Sequence, residues 1–78
     1  MADDVEWHIL QSTMLRAVRY YPASRELRVR FSGGAIYRYV DVPQSIVDVL
    51  IDPQQPSPGR FFNHHIRDVF DYDEDRRS

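Results

Sequence analysis

The sequence predicts an α+β domain in which a three-stranded antiparallel sheet is followed by two helices packed on one of its faces, in the order βββαα. Three observations support this fold class. Residues 25–32 alternate between apolar and charged side chains, as a strand with one buried face does. Residues 33–43 contain a glycine turn and a Tyr-Arg-Tyr strand that ends before Pro43. Beyond this proline, apolar residues recur at helical spacing.

The first predicted strand covers residues 13–21, which are rich in apolar and aromatic residues, and it ends at Pro22. Two consecutive apolar residues, Ala17 and Val18, interrupt its alternation. We therefore expect either a β-bulge at this point or a strand that is buried on both sides.

The second predicted strand, within residues 25–32, has two chemically distinct sides, and glycine follows it at residues 33 and 34. The turn is a hairpin, since glycine adopts positive φ without steric strain. The apolar side of the strand consists of Leu27, Val29 and Phe31, and the charged side of Glu26, Arg28 and Arg30.

The third predicted strand, residues 35–40, places Tyr37 and Tyr39 on one face and Arg38 on the other. A single sequence does not fix the hairpin register, so both orientations stay open. We predict that the tyrosines point inward, which puts Arg38 beside the arginines of the second strand on the exposed face. With the opposite register, the tyrosines themselves would form an exposed stacking surface.

Two helices are predicted after this strand. The first, residues 44–51, begins after Pro43, with Asp41 as a candidate cap. The second begins at Ser57-Pro58-Gly59, with Ser57 as the N-cap. The apolar stripe of the second helix consists of Phe62, Ile66, Val69 and Phe70.

The chain divides into a polar lead-in over residues 1–11, a folded domain over residues 12–70 and a charged, disordered tail over residues 71–78. A chain of 78 residues buries only about 60% of its unfolded surface, and without cysteine its stability depends on an apolar core. No apolar stretch approaches the roughly 20 residues that span a membrane, and the acidic N-terminus lacks the apolar run of a signal peptide. We expect a cytoplasmic protein that does not associate with membranes.

The order of these motifs resembles the KTSC domain family, a small domain that also occurs at the C-terminus of some lysyl-tRNA synthetases. The resemblance rests on residues 15–20, the apolar side of the second strand, Gly34 with Tyr37-Arg38-Tyr39, Val42-Pro43, and Ser57-Pro58-Gly59 with Phe62-Asn63 and Ile66. Arg19 and Tyr21 depart from the family's pattern near the first turn. The resemblance implies an RNA-binding role, and it does not carry over the synthetase's chemistry with ATP and lysine.

The strand half of the chain is basic although the net charge of the protein is −2. Residues 13–40 contain six arginines and one glutamate, and no basic residue of the protein is a lysine. Arginine suits bidentate contacts with phosphate, so an arginine-rich sheet face is the first candidate site for RNA. Its candidate phosphate contacts are Arg16, Arg28, Arg30 and Arg38. The alternative is an ordinary solvated face of a half-buried sheet.

A second candidate site lies at the start of the second helix. Ser57, Gly59 and Arg60 combine free backbone N–H groups with a positive charge and could bind an anion. An ordinary helix cap explains the same residues. Trp7, the only tryptophan, is expected at the edge of the domain, with stacking on RNA as its alternative role.

No catalytic or metal site is predicted, and no cofactor. His64 and His65 diverge by roughly 100° on a helix and so cannot easily bind one metal together. A serine nucleophile would need an elbow motif that the sequence lacks. The sequence therefore predicts a non-enzymatic binding module, with RNA as the favoured partner. The alternative is a protein-interaction module or homodimer that uses an edge of the sheet.

Overall fold

The computed structural model describes residues 7–75. In this part of the chain, an antiparallel sheet is combined with two short α-helices and a π-helical segment. The elements in chain order are β1 (His8–Ile9), β2 (Leu15–Tyr21), β3 (Glu26–Phe31), β4 (Ile36–Tyr39), α1 (Gln44–Leu50), α2 (Pro58–Phe62), the π-helical segment (Asn63–Arg67) and β5 (Tyr72–Asp75).

The sheet follows the order β1-β2-β3-β4-β5, and every neighbouring pair is antiparallel. The predicted α+β class and the two helices are confirmed, but the prediction of three strands is wrong, because the sheet has five. The additional strands lie at its edges, in segments predicted as a polar lead-in and a disordered tail. Both are held by backbone hydrogen bonds and are too short or too acidic to show an apolar alternation. Residues 1–6 and 76–78 of these segments lie outside the described residues.

The register of the β3–β4 hairpin settles which way the tyrosines point. Tyr39 lies opposite Leu27, and Tyr37 lies opposite Val29. Residues opposite each other share a face of the sheet, so both tyrosines point inward, as predicted. The other face then receives Arg38, which lies opposite Arg28.

The interruption in the alternation of the first predicted strand is a register shift between Leu15 and Ala17. Val18 lies opposite Val29 on the inner face, whereas Ala17 lies opposite Arg30 on the outer face, and both are almost fully buried. Both expectations are met, because a β-bulge precedes Ala17 and the strand is buried on both sides at Ala17 and Val18.

The core lies between the inner face of the sheet and the helices, as expected for a sheet covered on one side. Phe62 is fully buried at its centre and meets the rings of Phe31 and Tyr39 edge-on, at centroid distances of 5.6 and 5.4 Å. The buried cluster consists of Leu15, Val18, Leu27, Val29, Tyr39, Val42, Val47, Leu50, Phe62 and Ile66.

The apolar stripe predicted for the second helix is only partly correct. Phe62 and Ile66 are fully buried, but 61% of Val69 is exposed. The helix changes from α to π geometry after Phe62 and ends at Arg67. A 3.6-residue spacing therefore no longer describes where Val69 lies.

The two helix starts differ. Ser57 caps α2 as predicted, and its Oγ accepts a hydrogen bond from the backbone N–H of Arg60 at 3.4 Å. Asp41 was expected to cap α1, but the N-cap is Pro43 and no side chain bonds there. Asp41 instead adopts a left-handed conformation with φ 60°, which turns the chain from β4 into the helix.

A second left-handed residue supports the same junction from the β2–β3 turn. Arg25 has φ 58°, and its carbonyl accepts a hydrogen bond from the N–H of Val42 at 2.9 Å. The hydroxyl of Tyr20 donates to the carbonyl of Val42 at 2.6 Å. One contact from the β2–β3 turn and one from β2 thus fix the segment that leads into α1.

Candidate nucleic-acid interface

The sheet face that points away from the helices carries a row of arginines in direct cross-strand register. Arg19 lies opposite Arg28, and Arg28 lies opposite Arg38. Residues paired in this way have Cβ atoms about 5 Å apart, and like charges at that distance repel each other. Three adjacent strands therefore place their positive charges in one line, which attracts anions.

Arg30 lies on the same face and extends the positive charge beyond that row. It is exposed, and its cross-strand neighbours are Ala17 on β2 and Ile36 on β4. Neither neighbour carries a charge, and the side chain of Arg30 is exposed beside these two apolar residues. We call the surface formed by Arg19, Arg28, Arg30 and Arg38 the arginine face.

Within residues 7–75, Glu26 and Asp73 partly neutralise the arginine face. Glu26 Oε2 accepts from Arg28 Nε at 2.6 Å, and Asp73 Oδ2 accepts from Arg38 Nη2 at 2.9 Å. The Arg38–Asp73 pair is exposed, and such pairs contribute only about 0–1 kcal/mol, so a phosphate can replace Asp73 at little cost. The Arg28–Glu26 pair is more buried. Within residues 7–75, the buried Nε of Arg38 donates no hydrogen bond.

Two aromatic rings lie among these arginines. The guanidinium carbon of Arg19 is 4.8 Å from the centre of the Trp7 ring and 5.9 Å from that of Tyr21. Arg30 approaches Trp7 at 5.7 Å, and Arg28 approaches Tyr21 at 5.4 Å. These distances lie within the range of cation–π contacts. The face thus combines positive charge with partly exposed aromatic surface.

Of the four predicted phosphate contacts, the structure brings Arg28, Arg30 and Arg38 together on one face. Arg16 is exposed, but it lies in the bulge of β2 and has no partner in the β2–β3 register. The bulge reverses the alternation between Arg16 and the rest of its strand. Because Leu15 points inward opposite Phe31, Arg16 points outward, to the side of Arg30, but the bulge leaves it without a cross-strand partner in the row.

Sequence reasoning missed Arg19 and Tyr21 as members of this surface. Arg19 and Tyr21 are two residues apart and therefore lie on the same face of β2. The bulge shifts the pairing of β2 with β3, so the sequence alone does not show which residues of β3 lie opposite them. The available signal was their departure from the family's pattern, which was interpreted as a change in the turn. Trp7 was named as a stacking candidate, and its position beside Arg19 places it on the arginine face.

The predicted anion site lies at a different place, where the start of β2 meets α2. Ser57 is occupied as the helix cap, and a Cβ atom on Gly59 would lie 3.1 Å from Ser12 Oγ. Arg60 is exposed beside them, and together they line an open cleft of about 390 Å³. Capping and close packing account for the serine and the glycine here without an anion.

Other site chemistries receive no support in the described part of the chain. No group of three His, Asp or Glu side chains within residues 7–75 is arranged to hold a metal ion. The helices of this region are too short to cross a bilayer. The ring of His65 stacks on Phe61 with centroids 4.6 Å apart. Burial, with a smaller contribution from Tyr72, raises the pKa of Tyr39 to about 12, so its phenol stays protonated at neutral pH.

Comparison with known families classifies this fold. The model of the KTSC domain matches residues 11–72, which is most of the chain. The chain belongs to the KTSC domain family. The match begins shortly before β2 and ends at the first residue of β5, so it contains the β2–β4 sheet and both helices of this KTSC domain.

Known relatives of this KTSC domain include free-standing domains and parts of larger proteins. An uncharacterised protein of Stutzerimonas stutzeri is 46% identical over 54 residues, which cover 69% of this chain and 73% of the relative. The lysine–tRNA ligase of a Nostoc species is 31% identical over 64 residues, which cover 82% of this chain but 11% of the ligase. The crystal structure of a KTSC domain protein from Yersinia pestis matches with a TM-score of 0.81 at 25% identity, covering 91% of this chain and 97% of that chain.

Proposed function

We propose that this KTSC domain is a non-catalytic RNA-binding module whose arginine face contacts the phosphate backbone. The observation that carries the proposal is the row of Arg19, Arg28 and Arg38 on three adjacent strands. Like charges in direct cross-strand positions destabilise a sheet, and a bound polyanion would offset that repulsion.

RNA is preferred over other polyanions because of the protein context in which a relative occurs. The matching segment of the Nostoc lysine–tRNA ligase is a small part of a protein that, by its name, acts on tRNA. An appended domain with a basic face would add binding energy for the nucleic acid without taking part in the reaction. We extend this reasoning to the present chain.

The sheet edges give less support to the alternative, which is self-association or strand addition by a protein partner. At one edge, β1 has only two residues. At the other edge, β5 has the acidic sequence Tyr-Asp-Glu-Asp. Short strands and charged edges are features that prevent edge pairing, so we favour the face over the edges.

The test is a titration of fluorescently labelled single-stranded RNA at about 50 mM salt, with the wild-type domain and two single charge reversals. Arg30→Glu changes the arginine face, and Arg60→Glu makes the same change in charge at the α2 cleft. We expect Arg30→Glu to weaken binding about tenfold or more and Arg60→Glu to have little effect. Contact with four phosphates predicts a slope of about −3 for log K against log salt.

Two results would contradict this proposal. RNA binding no tighter than that of a neutral control protein would exclude an RNA-binding function for the domain. A loss of affinity in Arg60→Glu with none in Arg30→Glu would move the anion site from the sheet to the α2 cleft. Thermal unfolding of both variants checks that each is folded at the temperature of the titration.

A further inference from the structure

We infer that the nucleic acid bound by this face is single-stranded, because Trp7 and Tyr21 provide a stacking platform for unpaired bases between the arginines. The inference rests on the proposed function and narrows it to one class of nucleic acid. It depends on two rings that the charge argument does not use.

The first step is the arrangement of the two rings. The guanidinium group of Arg19 approaches both of them, Trp7 at 4.8 Å and Tyr21 at 5.9 Å. Arg28 approaches Tyr21 at 5.4 Å from the neighbouring strand. Aromatic rings and guanidinium groups therefore alternate across the surface in the order Trp7, Arg19, Tyr21, Arg28. A single strand likewise combines bases with phosphates along its length.

The second step is the exposure of these rings. Trp7 and Tyr21 are only partly buried, and they lie on the face of the sheet that neither helix covers. On the inner face, the rings of Phe31 and Tyr39 instead each meet the ring of Phe62 from α2 edge-on within the core. Partly exposed aromatic surface next to positive charge is the combination that proteins use to bind single strands without a strict sequence requirement.

The third step excludes a duplex as the preferred ligand. The bases of an A-form helix are stacked on each other, and its deep major groove does not admit side chains. A duplex could therefore meet this surface only through its phosphates and would gain nothing from the two rings. An unpaired strand presents base faces to them as well as phosphates to the arginines.

The experiment compares three probes of equal length: a single-stranded RNA, a duplex that contains the same strand, and an abasic strand that keeps the phosphates but lacks bases. Trp7 is the only tryptophan, so its fluorescence reports directly on stacking. We expect the single strand to quench this fluorescence and to bind at least about tenfold more tightly than the abasic strand. The abasic strand should bind without quenching.

Substitutions at Tyr21 separate the ring from other effects. We expect Tyr21→Ala to weaken binding of the single strand several-fold and to leave binding of the abasic strand unchanged. Tyr21→Phe keeps the ring and should bind like the wild type. If Tyr21→Ala fails to fold, the comparison of the three probes on the wild-type protein and on Trp7→Ala still decides the question.

The outcomes separate this inference from the proposed function. The stacking platform would be overturned if the single strand, the duplex and the abasic strand bound with equal affinity and none of them quenched the fluorescence of Trp7. If Arg30→Glu still weakened binding in that case, phosphate binding would remain intact. Absence of binding to all three probes would remove the proposed function and this inference with it.

Discussion

Single residues show that burial and apolar character are different properties in this domain. Phe31 and Phe62 both belong to the apolar pattern of the sequence, yet Phe62 is fully buried and Phe31 is only partly buried. The position of a side chain relative to both layers of the fold decides this difference. Local alternation alone does not contain that information.

The two phenylalanines therefore predict unequal losses of stability. We expect Phe62→Ala to lower the free energy of unfolding by about 3–5 kcal/mol, because it leaves a cavity between the helices and the sheet. Phe31→Ala should cost clearly less, since part of its ring already contacts water. Urea unfolding measures both, with Val69→Ala as the control at an exposed apolar position. Equal losses at Phe31 and Phe62 would contradict the assignment of the core.

Tyr39 predicts an alkaline limit to stability. Burial raises its pKa to about 12, whereas in the unfolded chain the pKa is near the ordinary value of 10.0. Between these values the unfolded chain loses the phenol proton and the folded chain keeps it, so stability falls as the pH rises. The full loss by pH 12 is about 2–3 kcal/mol.

Tyr39→Phe should remove most of this dependence on pH, because phenylalanine has no proton to lose. Urea unfolding at pH 8, 10 and 11 measures the effect, and Tyr21→Phe on the opposite face is the matched control. A decline in Tyr39→Phe as steep as that of the wild type would show that another group sets the alkaline limit.

At the scale of elements, the junction between β4 and α1 depends on turns rather than on a helix cap. Arg25 adopts φ 58° in the β2–β3 turn and holds Val42 through its carbonyl. An L-residue in the left-handed region costs about 1–2 kcal/mol, and an arginine has no side-chain bond that makes this conformation favourable. The turn therefore stores strain that glycine would not have.

We expect Arg25→Gly to raise the free energy of unfolding by about 0.5–1 kcal/mol, after the entropy that glycine adds to the unfolded chain is subtracted. Ala23→Gly in the same turn is the control and should destabilise the protein, since Ala23 does not have positive φ. Thermal and urea unfolding both report the change. Destabilisation by Arg25→Gly would mean that the arginine side chain makes a compensating contact.

The element β5 brings negative charge to the edge of the arginine face. Asp73 accepts a hydrogen bond from Arg38 and lies opposite it in the register, whereas Glu74 lies opposite Tyr37 on the other face. The two acids are adjacent in sequence but face opposite sides of the sheet. They form a matched pair for testing whether the location of a charge matters.

Asp73→Asn should therefore tighten RNA binding about three- to tenfold at low salt, because it releases Arg38 from its carboxylate partner. Glu74→Gln makes the same change in net charge on the inner face and should have a smaller effect. Titration of labelled single-stranded RNA measures both. Equal gains would indicate a response to net charge alone.

At the scale of the whole molecule, the sequence predicted the parts that depend on local pattern. The strand around Leu27 and Val29 follows from alternation, and the start of α2 at Ser57 follows from capping. The inward direction of Tyr39 was the preferred one of two registers that the sequence left open. The two edge strands could not be predicted in this way. Their backbone hydrogen bonds need a partner strand that already exists, and backbone pairing leaves no signature in short polar segments.

The candidate site shows the same division. Arg28, Arg30 and Arg38 could be predicted as a group because two regular strands carry them. Arg19 could not, since its place in the row depends on a bulge whose position only the folded sheet defines. The aromatic contacts across the face likewise join β2 to residues from other parts of the chain.

The order of the sheet also has a consequence for how the domain assembles. Strands β1 to β3 each pair with the next element of the chain, but both helices intervene between Tyr39 at the end of β4 and Tyr72 at the start of β5. The last pairing must close a much longer loop, which makes it slower to form. During synthesis on the ribosome, the charge that Asp73 places against Arg38 is added after the arginines of β2, β3 and β4. Hydrogen exchange should show the β4–β5 amides opening before those of the β2–β3 ladder, through local unfolding of the C-terminal strand.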